Sequence, residues 1–244
     1  MNKLLLSSLT ADYKTKCGLL YKSFAKNCKI PYKILEYKKE QIPTRVEGWP
    51  KTRINYVTAQ GGFFMDWINC DDDTIVIHTD ADMILQRWFI GNELEFLEVG
   101  HDEIAGCSCH WPSQTLGQAA KNIMPKDIQF KGYENMIEFA GGFMIATAKT
   151  LRKFKKLYIE NHDDLVKSFD RLGANQWLIN YITHKYFKFK LLPEYVMNAI
   201  WYTGTNARMI NGSLCTIVNN QSHIGKKVIF NHYKFIQIKG GYKY

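Results

Sequence analysis

Two aspartates one residue apart, Asp80 and Asp82, close the run Asp72-Asp73-Thr74-Ile75-Val76-Ile77-His78-Thr79. In an extended chain, side chains two residues apart point to the same side. Both carboxylates can therefore face one cation. Hard carboxylate oxygens suit Mg²⁺ or Mn²⁺, which keep several waters and take further oxygens from substrate phosphates. Acids at a strand end also serve as solvated loop residues or helix caps. The dipeptide spacing alone does not choose, and the surrounding elements must.

Ahead of the pair, Ile75, Val76 and Ile77 form an apolar, β-branched run that follows turn-forming acids, which predicts a buried strand. Ligands of open α/β sheets bind just beyond the carboxyl ends of the strands, where Asp80 and Asp82 fall. Strands are predicted over residues 3–8 and 32–37, with a capped loop at 9–12 and a helix over 13–27 between them. Strand, helix, strand in that order predicts a mostly parallel sheet flanked by helices. The loop after the first strand is a natural nucleotide contact, which makes Thr10 and Tyr13 candidates. A helix is predicted over 51–69, and Lys51 and Arg53 at its start could reach a diphosphate or base. Residues 83–89 read as extended chain or a short helix, 103–109 as a strand, and 111–130 as a long excursion on the acceptor side.

A second chemistry-bearing stretch is Glu138-Phe139-Ala140-Gly141-Gly142-Phe143-Met144-Ile145-Ala146. Paired glycines allow close approach of a ligand to backbone, and here they lead into an apolar strand. A helix over 149–158 follows, then a helix opened by Gln176 and a strand over 188–192. A last strand over 227–231 is followed by His232, Tyr233 and Lys234.

The 244 residues, 46% of them apolar, fit one large α/β domain. The net charge of +9 favours anionic partners such as nucleotides, nucleic acid or acidic headgroups. Lys149, Arg152, Lys153, Lys155 and Lys156 form the densest basic group. Six cysteines make neither a disulfide pattern nor a zinc site, since Cys107 and Cys109 lack a second pair. Free thiols and the lack of a long apolar run predict a cytoplasmic protein without a transmembrane segment.

Four pieces in order resemble the GT-A glycosyltransferases that use nucleotide-sugar donors and a divalent metal. They are Asp80-Ala81-Asp82, Ala140-Gly141-Gly142-Phe143-Met144-Ile145, Ala174-Asn175-Gln176-Trp177-Leu178-Ile179-Asn180 and Asn231-His232-Tyr233-Lys234. The resemblance implies one Rossmann-like GT-A domain over residues 1–244. Residues up to about 110 would form its nucleotide-binding half, and those from about 111 its acceptor-side half. It implies Asp82 as metal ligand, Asp80 as metal ligand or ribose contact, and His232 completing the shell. It further implies Lys234 at the diphosphate, Gly141 and Gly142 as backbone contacts to the sugar or acceptor, and a UDP-sugar donor with Mn²⁺ or Mg²⁺. The Asn175-Gln176 pair is similar to the Asp-Gln of a retaining branch. Asn175 is not a carboxylate, so it cannot be that branch's base or nucleophile.

A metal at the Asp pair would neutralise charge on the leaving diphosphate. Inversion would also need a general base for the acceptor hydroxyl, for which Glu138 is the candidate. Retention would place Gln176 facing the anomeric carbon. The acceptor would be a glycan or lipid-linked saccharide, or a base in DNA, which would have to be exposed or flipped. Two other readings stand beside this one. A sugar nucleotidyltransferase also needs a metal-binding Asp pair, but usually carries a Gly-rich loop after its first strand, and Leu9-Thr10-Ala11-Asp12 is not one. A non-catalytic basic nucleic-acid-binding protein would show steeply salt-dependent DNA binding.

Overall fold

A computed structural model of the chain describes residues 1–10, 18–37, 65, 68–108, 113–120, 132–166, 174–199, 207–210, 213–216 and 226–232. Its centre is a six-stranded sheet in the order β2-β1-β3-β6-β5-β7. The strands are β1 (Lys3–Thr10), β2 (Tyr32–Tyr37), β3 (Ile75–Asp80), β5 (Glu103–Gly106), β6 (Phe143–Thr147) and β7 (Lys188–Leu191). β1 runs parallel to β2 and β3, and β5 runs parallel to β7. β6 is antiparallel to both of its neighbours. The sheet is thus mixed α/β, with one reversed strand at its middle.

Alternation along the strands sends successive side chains to opposite faces. Leu5, Ile75, Ile77, Phe143 and Ile145 join one core with Leu20 and Phe24 of α1 (Gly18–Asn27). Leu4, Leu6, Val76, Met144 and Ala146 join the other. That second core is covered by α3 (Ala148–Val166), through Leu151 and Phe154, and by α4 (Ala174–Tyr186), through Leu178, Ile179 and Ile182. α2 (Leu116–Ala120) falls inside the predicted excursion.

A small sheet in the order β4-β11-β8 is built from β4 (Met83–Leu85), β8 (Met197–Ala199) and β11 (Phe230–His232). Between β8 and β11, the chain also forms an antiparallel hairpin of β9 (Ala207–Ile210) and β10 (Ser213–Thr216). α1 fixes β4 from the side: Asn27 Nδ2 donates to the Leu85 carbonyl at 2.7 Å, and the Leu85 N–H donates to Ser23 Oγ at 3.2 Å. Arg87, two residues beyond β4, brackets the same end. Its guanidinium donates to both Glu93 carboxylate oxygens at 2.6 and 2.7 Å, and its Nη2 to the Lys227 carbonyl at 2.6 Å. Glu93 lies in a 3₁₀ helix (Gly91–Leu97), and Lys227 lies just before β11.

The element bounds differ from expectation in places with local causes. The strand expected over 103–109 ends at Gly106, where Phe139 approaches and a Cβ would lie 3.0 Å from its ring. The helix expected over 149–158 runs on to Val166. Most of the helix expected over 51–69 lies outside the described residues. Among the described residues, no helix is long and apolar enough to cross a membrane.

Candidate metal and donor site

Asp80 is the last residue of β3, beside Ser8 of β1. Its N–H donates to the Gly142 carbonyl at 2.8 Å, extending the β3–β6 ladder by one step beyond the Thr79–Phe143 pair. The carboxylate lies so close to Gly142 that a Cβ there would stand 2.2 Å from Asp80 Oδ2. Any side chain at this position would have to displace the carboxylate or the turn. Asp80 is partly exposed as a residue, yet its Oδ1 is shielded from solvent and has no hydrogen-bond partner among the described residues. Burial, with the Asp82 charge added, pushes the Asp80 carboxyl up to about 7, while His232 pulls against the shift.

Asp82 follows after a single residue, on the turn into β4. β11 pairs antiparallel with β4, in the register Phe230–Leu85, Asn231–Ile84, His232–Met83. His232 therefore arrives next to Asp82, and its Nε2 lies 3.1 Å from Asp82 Oδ1. Burial opposes protonation of His232, but the carboxylates of Asp82 and Asp80 together hold its pKa above the ordinary value. On the far side of β11, Asn198 Nδ2 donates to Asn231 Oδ1 at 2.7 Å, which ties β8 to β11 by side chains as well as backbone.

One ligand atom each from Asp80, Asp82 and His232 lies within 4.8 Å of the others. Two carboxylates at this separation repel in a partly desolvated site, and a divalent cation relieves that repulsion. The two carboxylate oxygens suit Mn²⁺ or Mg²⁺, and the imidazole nitrogen favours Mn²⁺, the transition metal of the two. The unpartnered Asp80 Oδ1 is a lone-pair donor that the protein itself leaves unused. The donor set therefore fits the cation that the sequence implies.

The Gly141-Gly142 turn forms the wall beside Asp80. The Gly141 N–H donates to Gln176 Oε1 at 2.8 Å, and Gln176 Nε2 donates to the Phe139 carbonyl. Both ends of the Gln176 amide thus bind backbone of the turn. Glu138, on the same segment, is 3% exposed, and its N–H donates to the Gln114 carbonyl at 2.9 Å. Thr10 closes β1 opposite Tyr37, and Asn175 lies in the first turn of α4. Tyr13, Arg53 and Lys234 lie outside the described residues.

No protein-family model matches the sequence, and no curated protein matches it. Solved structures do. An active-site mutant of LgtC superposes with a TM-score of 0.55 at 11% identity, over 95% of this chain and 86% of that one. Galactosyltransferase LgtC in complex with donor and acceptor sugar analogs gives a TM-score of 0.51 at 11% identity, over the same shares of both chains. This is the GT-A fold. The glycosyltransferase GlyE of Streptococcus pneumoniae TIGR4 also matches, with a TM-score of 0.47 at 12% identity, over 80% of this chain and 45% of that one. In this GT-A fold, the three candidate ligands come from the end of β3, the turn into β4 and the end of β11.

Two residues in the site had no role in the sequence reading: Asn180, although it closes one of the quoted pieces, and His184. Asn180 and His184 follow Gln176 at intervals of four on α4, and each binds backbone of the segment that leads into the glycines. Their signal was present as a polar stripe at helical spacing among Leu178, Ile179 and Ile182. A stripe of that kind ordinarily marks a solvated helix face. The basic group on α3 also changes meaning. Arg152 pairs with Asp72, Lys153 with Asp102 at 2.8 Å, and Lys156 with Glu160 at 4.0 Å.

Proposed function

We propose that this chain is a metal-dependent glycosyltransferase that moves a sugar from a nucleotide-sugar donor, a UDP-sugar by preference, to a saccharide hydroxyl. The observation that carries the reading is the Asp80, Asp82 and His232 cluster, held within 4.8 Å at the carboxyl end of β3 in a GT-A fold. Support for sugar transfer comes from LgtC, a galactosyltransferase crystallised with donor and acceptor sugar analogs.

In this reading, Asp82 and His232 are metal ligands from opposite sides of the β4–β11 ladder, and Asp80 offers Oδ1 as the third. A divalent cation held there supplies Lewis-acid stabilisation of the charge that develops on the leaving diphosphate. The protein's own part is preorganisation: two short strands, the α1 side chains and the Arg87 bracket place the ligands before any donor arrives. The Gly141-Gly142 turn lets the donor sugar or acceptor approach backbone closely. Glu138 is the candidate base for inversion and Gln176 the candidate group near the anomeric carbon for retention. Thr10, Tyr13, Arg53 and Lys234 are proposed donor contacts.

The pairing of α3 cations with acids weighs against a nucleic-acid surface there, since unopposed charge is what drives such binding. A thermal-shift panel of nucleotide sugars with and without Mn²⁺ tests the proposal. Metal-dependent stabilisation by at least one of them, with release of a nucleoside diphosphate on turnover, is expected. Release of pyrophosphate would assign a nucleotidyltransferase, and no metal-dependent stabilisation by any donor would overturn the reading.

A further inference from the structure

Asn180 is fully buried in the middle of α4 and makes three hydrogen bonds. Its Oδ1 accepts the Phe139 N–H at 2.9 Å, and its Nδ2 donates to the Phe139 carbonyl at 2.9 Å. The side-chain amide therefore binds both peptide groups of one residue, as a neighbouring β-strand would. Its Nδ2 also donates to the Gln176 carbonyl, one turn back on α4, at 2.8 Å. That bond locks the amide's orientation and so fixes which end faces the Phe139 N–H. One turn further on, His184 Nε2 lies 2.8 Å from the Ile137 carbonyl, and its ring packs edge-on against Phe139 and Phe189. With Gln176 on Gly141, three side chains at intervals of four grip the backbone from Ile137 to Gly141.

At its start the segment is also held by the Ile137–Thr115 bridge and by Glu138 N–H donating to the Gln114 carbonyl at 2.9 Å. Nearer the glycines its backbone bonds are Ala140 N–H to the Cys107 carbonyl at 2.8 Å, Phe143 N–H to the Ala140 carbonyl at 3.1 Å, and Asp80 N–H to the Gly142 carbonyl at 2.8 Å. The last one reaches the candidate metal ligand itself. Space is tight on both sides. A Cβ on Gly141 would lie 2.6 Å from Ile179 of α4, and one on Gly142 would lie 2.2 Å from Asp80. The turn is thus wedged between α4 and Asp80, and a shift of its backbone away from α4 moves it into the carboxylate.

We infer that Asn180 is a positioning residue: by clamping the Phe139 peptide groups it sets the Gly141-Gly142 turn, and through that turn it holds Asp80 in place for the metal and donor. The inference rests on the metal-dependent reading of the site and adds a residue that touches neither metal nor sugar. It also explains why α4 carries a polar stripe toward the interior.

The test compares the wild-type chain with Asn180→Leu, which keeps the branched shape of the side chain and removes all three bonds. Two readouts are taken on each: Mn²⁺ affinity with the metal alone, and amide exchange at Phe139, Gly141 and Asp80. In the variant, Mn²⁺ affinity is expected to fall about tenfold, as for outer-shell groups that orient metal ligands. Exchange at the Asp80 amide is expected to quicken while amides in β1 keep their protection. Unchanged Mn²⁺ affinity together with unchanged Asp80 exchange in a folded variant would overturn the inference. If the wild type itself binds no Mn²⁺, the metal reading fails, and Asp80 exchange alone decides the clamp. If the variant does not fold, exchange in the wild type decides: protection of the Phe139 and Gly141 amides equal to that of α4 supports the clamp, and exchange at open-loop rates refutes it.

Discussion

A Cβ built on Gly142 would stand 2.2 Å from Oδ2 of Asp80, and the Gly142 carbonyl accepts the Asp80 N–H at 2.8 Å. The glycine is both the backbone partner of the aspartate and the space its carboxylate occupies. Gly142→Ala must therefore push the carboxylate aside or distort the turn. Overpacking of this kind costs about 1–3 kcal/mol. The expected result is a folded protein with a lower Tm and markedly weaker Mn²⁺ binding, read by calorimetry and metal titration. Wild-type Mn²⁺ affinity in this variant would show that Asp80 does not need its present position.

His232 and Asp82 meet across the β4–β11 ladder at 3.1 Å. Asp82→Ala is expected to abolish transfer while the fold survives, because the residue lies on a turn and belongs to neither apolar core. His232→Ala is expected to weaken Mn²⁺ binding by at least about tenfold, the lower end of the loss seen for groups that only orient metal ligands. Turnover by Asp82→Ala at the wild-type rate in metal-replete buffer would contradict the metal assignment.

His78, in the middle of β3, is fully buried between Leu6 of β1 and Met144 of β6, and burial pushes its imidazole down to about 3 from 6.5. The folded value lies below the unfolded one, so the unfolded chain binds the extra proton. Stability is full above the unfolded value and is lost as pH falls from there toward the folded one. The greatest slope from this one group is about 1.4 kcal/mol per pH unit. His78→Leu is expected to flatten that part of the profile and to leave stability at neutral pH the same or higher, since the imidazole nitrogens have no partner among the described residues. Urea midpoints at pH 7.5 and about pH 5 compare the two chains. Equal slopes for both would show that His78 is protonated in the fold.

Asn198 and Asn231 are both buried and share a 2.7 Å bond between β8 and β11. Asn198→Ala leaves the Asn231 amide oxygen without that donor inside the protein, at a cost of about 1–3 kcal/mol. A fall in Mn²⁺ affinity should accompany it, because β11 carries His232. Chemical denaturation and metal titration on the same variant read both effects, and no change in either would free β11 from this tie.

Much of this arrangement is legible in the sequence. The apolar runs locate β1, β2 and β3, and the Asp pair falls at the carboxyl end of β3, where α/β sheets bind ligands. Gly141 and Gly142 precede the apolar run of β6, and α4 begins at Ala174, just ahead of Gln176. What escapes is long-range. A late strand is expected over 227–231, where β11 covers Phe230–His232, and 83–89 is expected as extended chain or a short helix, where β4 lies; but β4, β8 and β11 have three residues each, and nothing local shows that they pair with one another. The reversal of β6 is equally silent, since a buried strand reads the same in either direction. The grip of Asn180 and His184 depends on which face of α4 meets the sheet, and polar residues on a helix ordinarily point to water.

The measurement that tests the central claim most directly is donor turnover with Mn²⁺, followed as nucleoside diphosphate released, in the wild type and in Asp82→Ala. The wild type is expected to release nucleoside diphosphate from a UDP-sugar only when Mn²⁺ or Mg²⁺ is present, to stop on chelation, and to recover on metal return, while Asp82→Ala stays inactive throughout. Equal release by the wild type with and without metal, or by Asp82→Ala, would contradict a metal held by Asp80, Asp82 and His232.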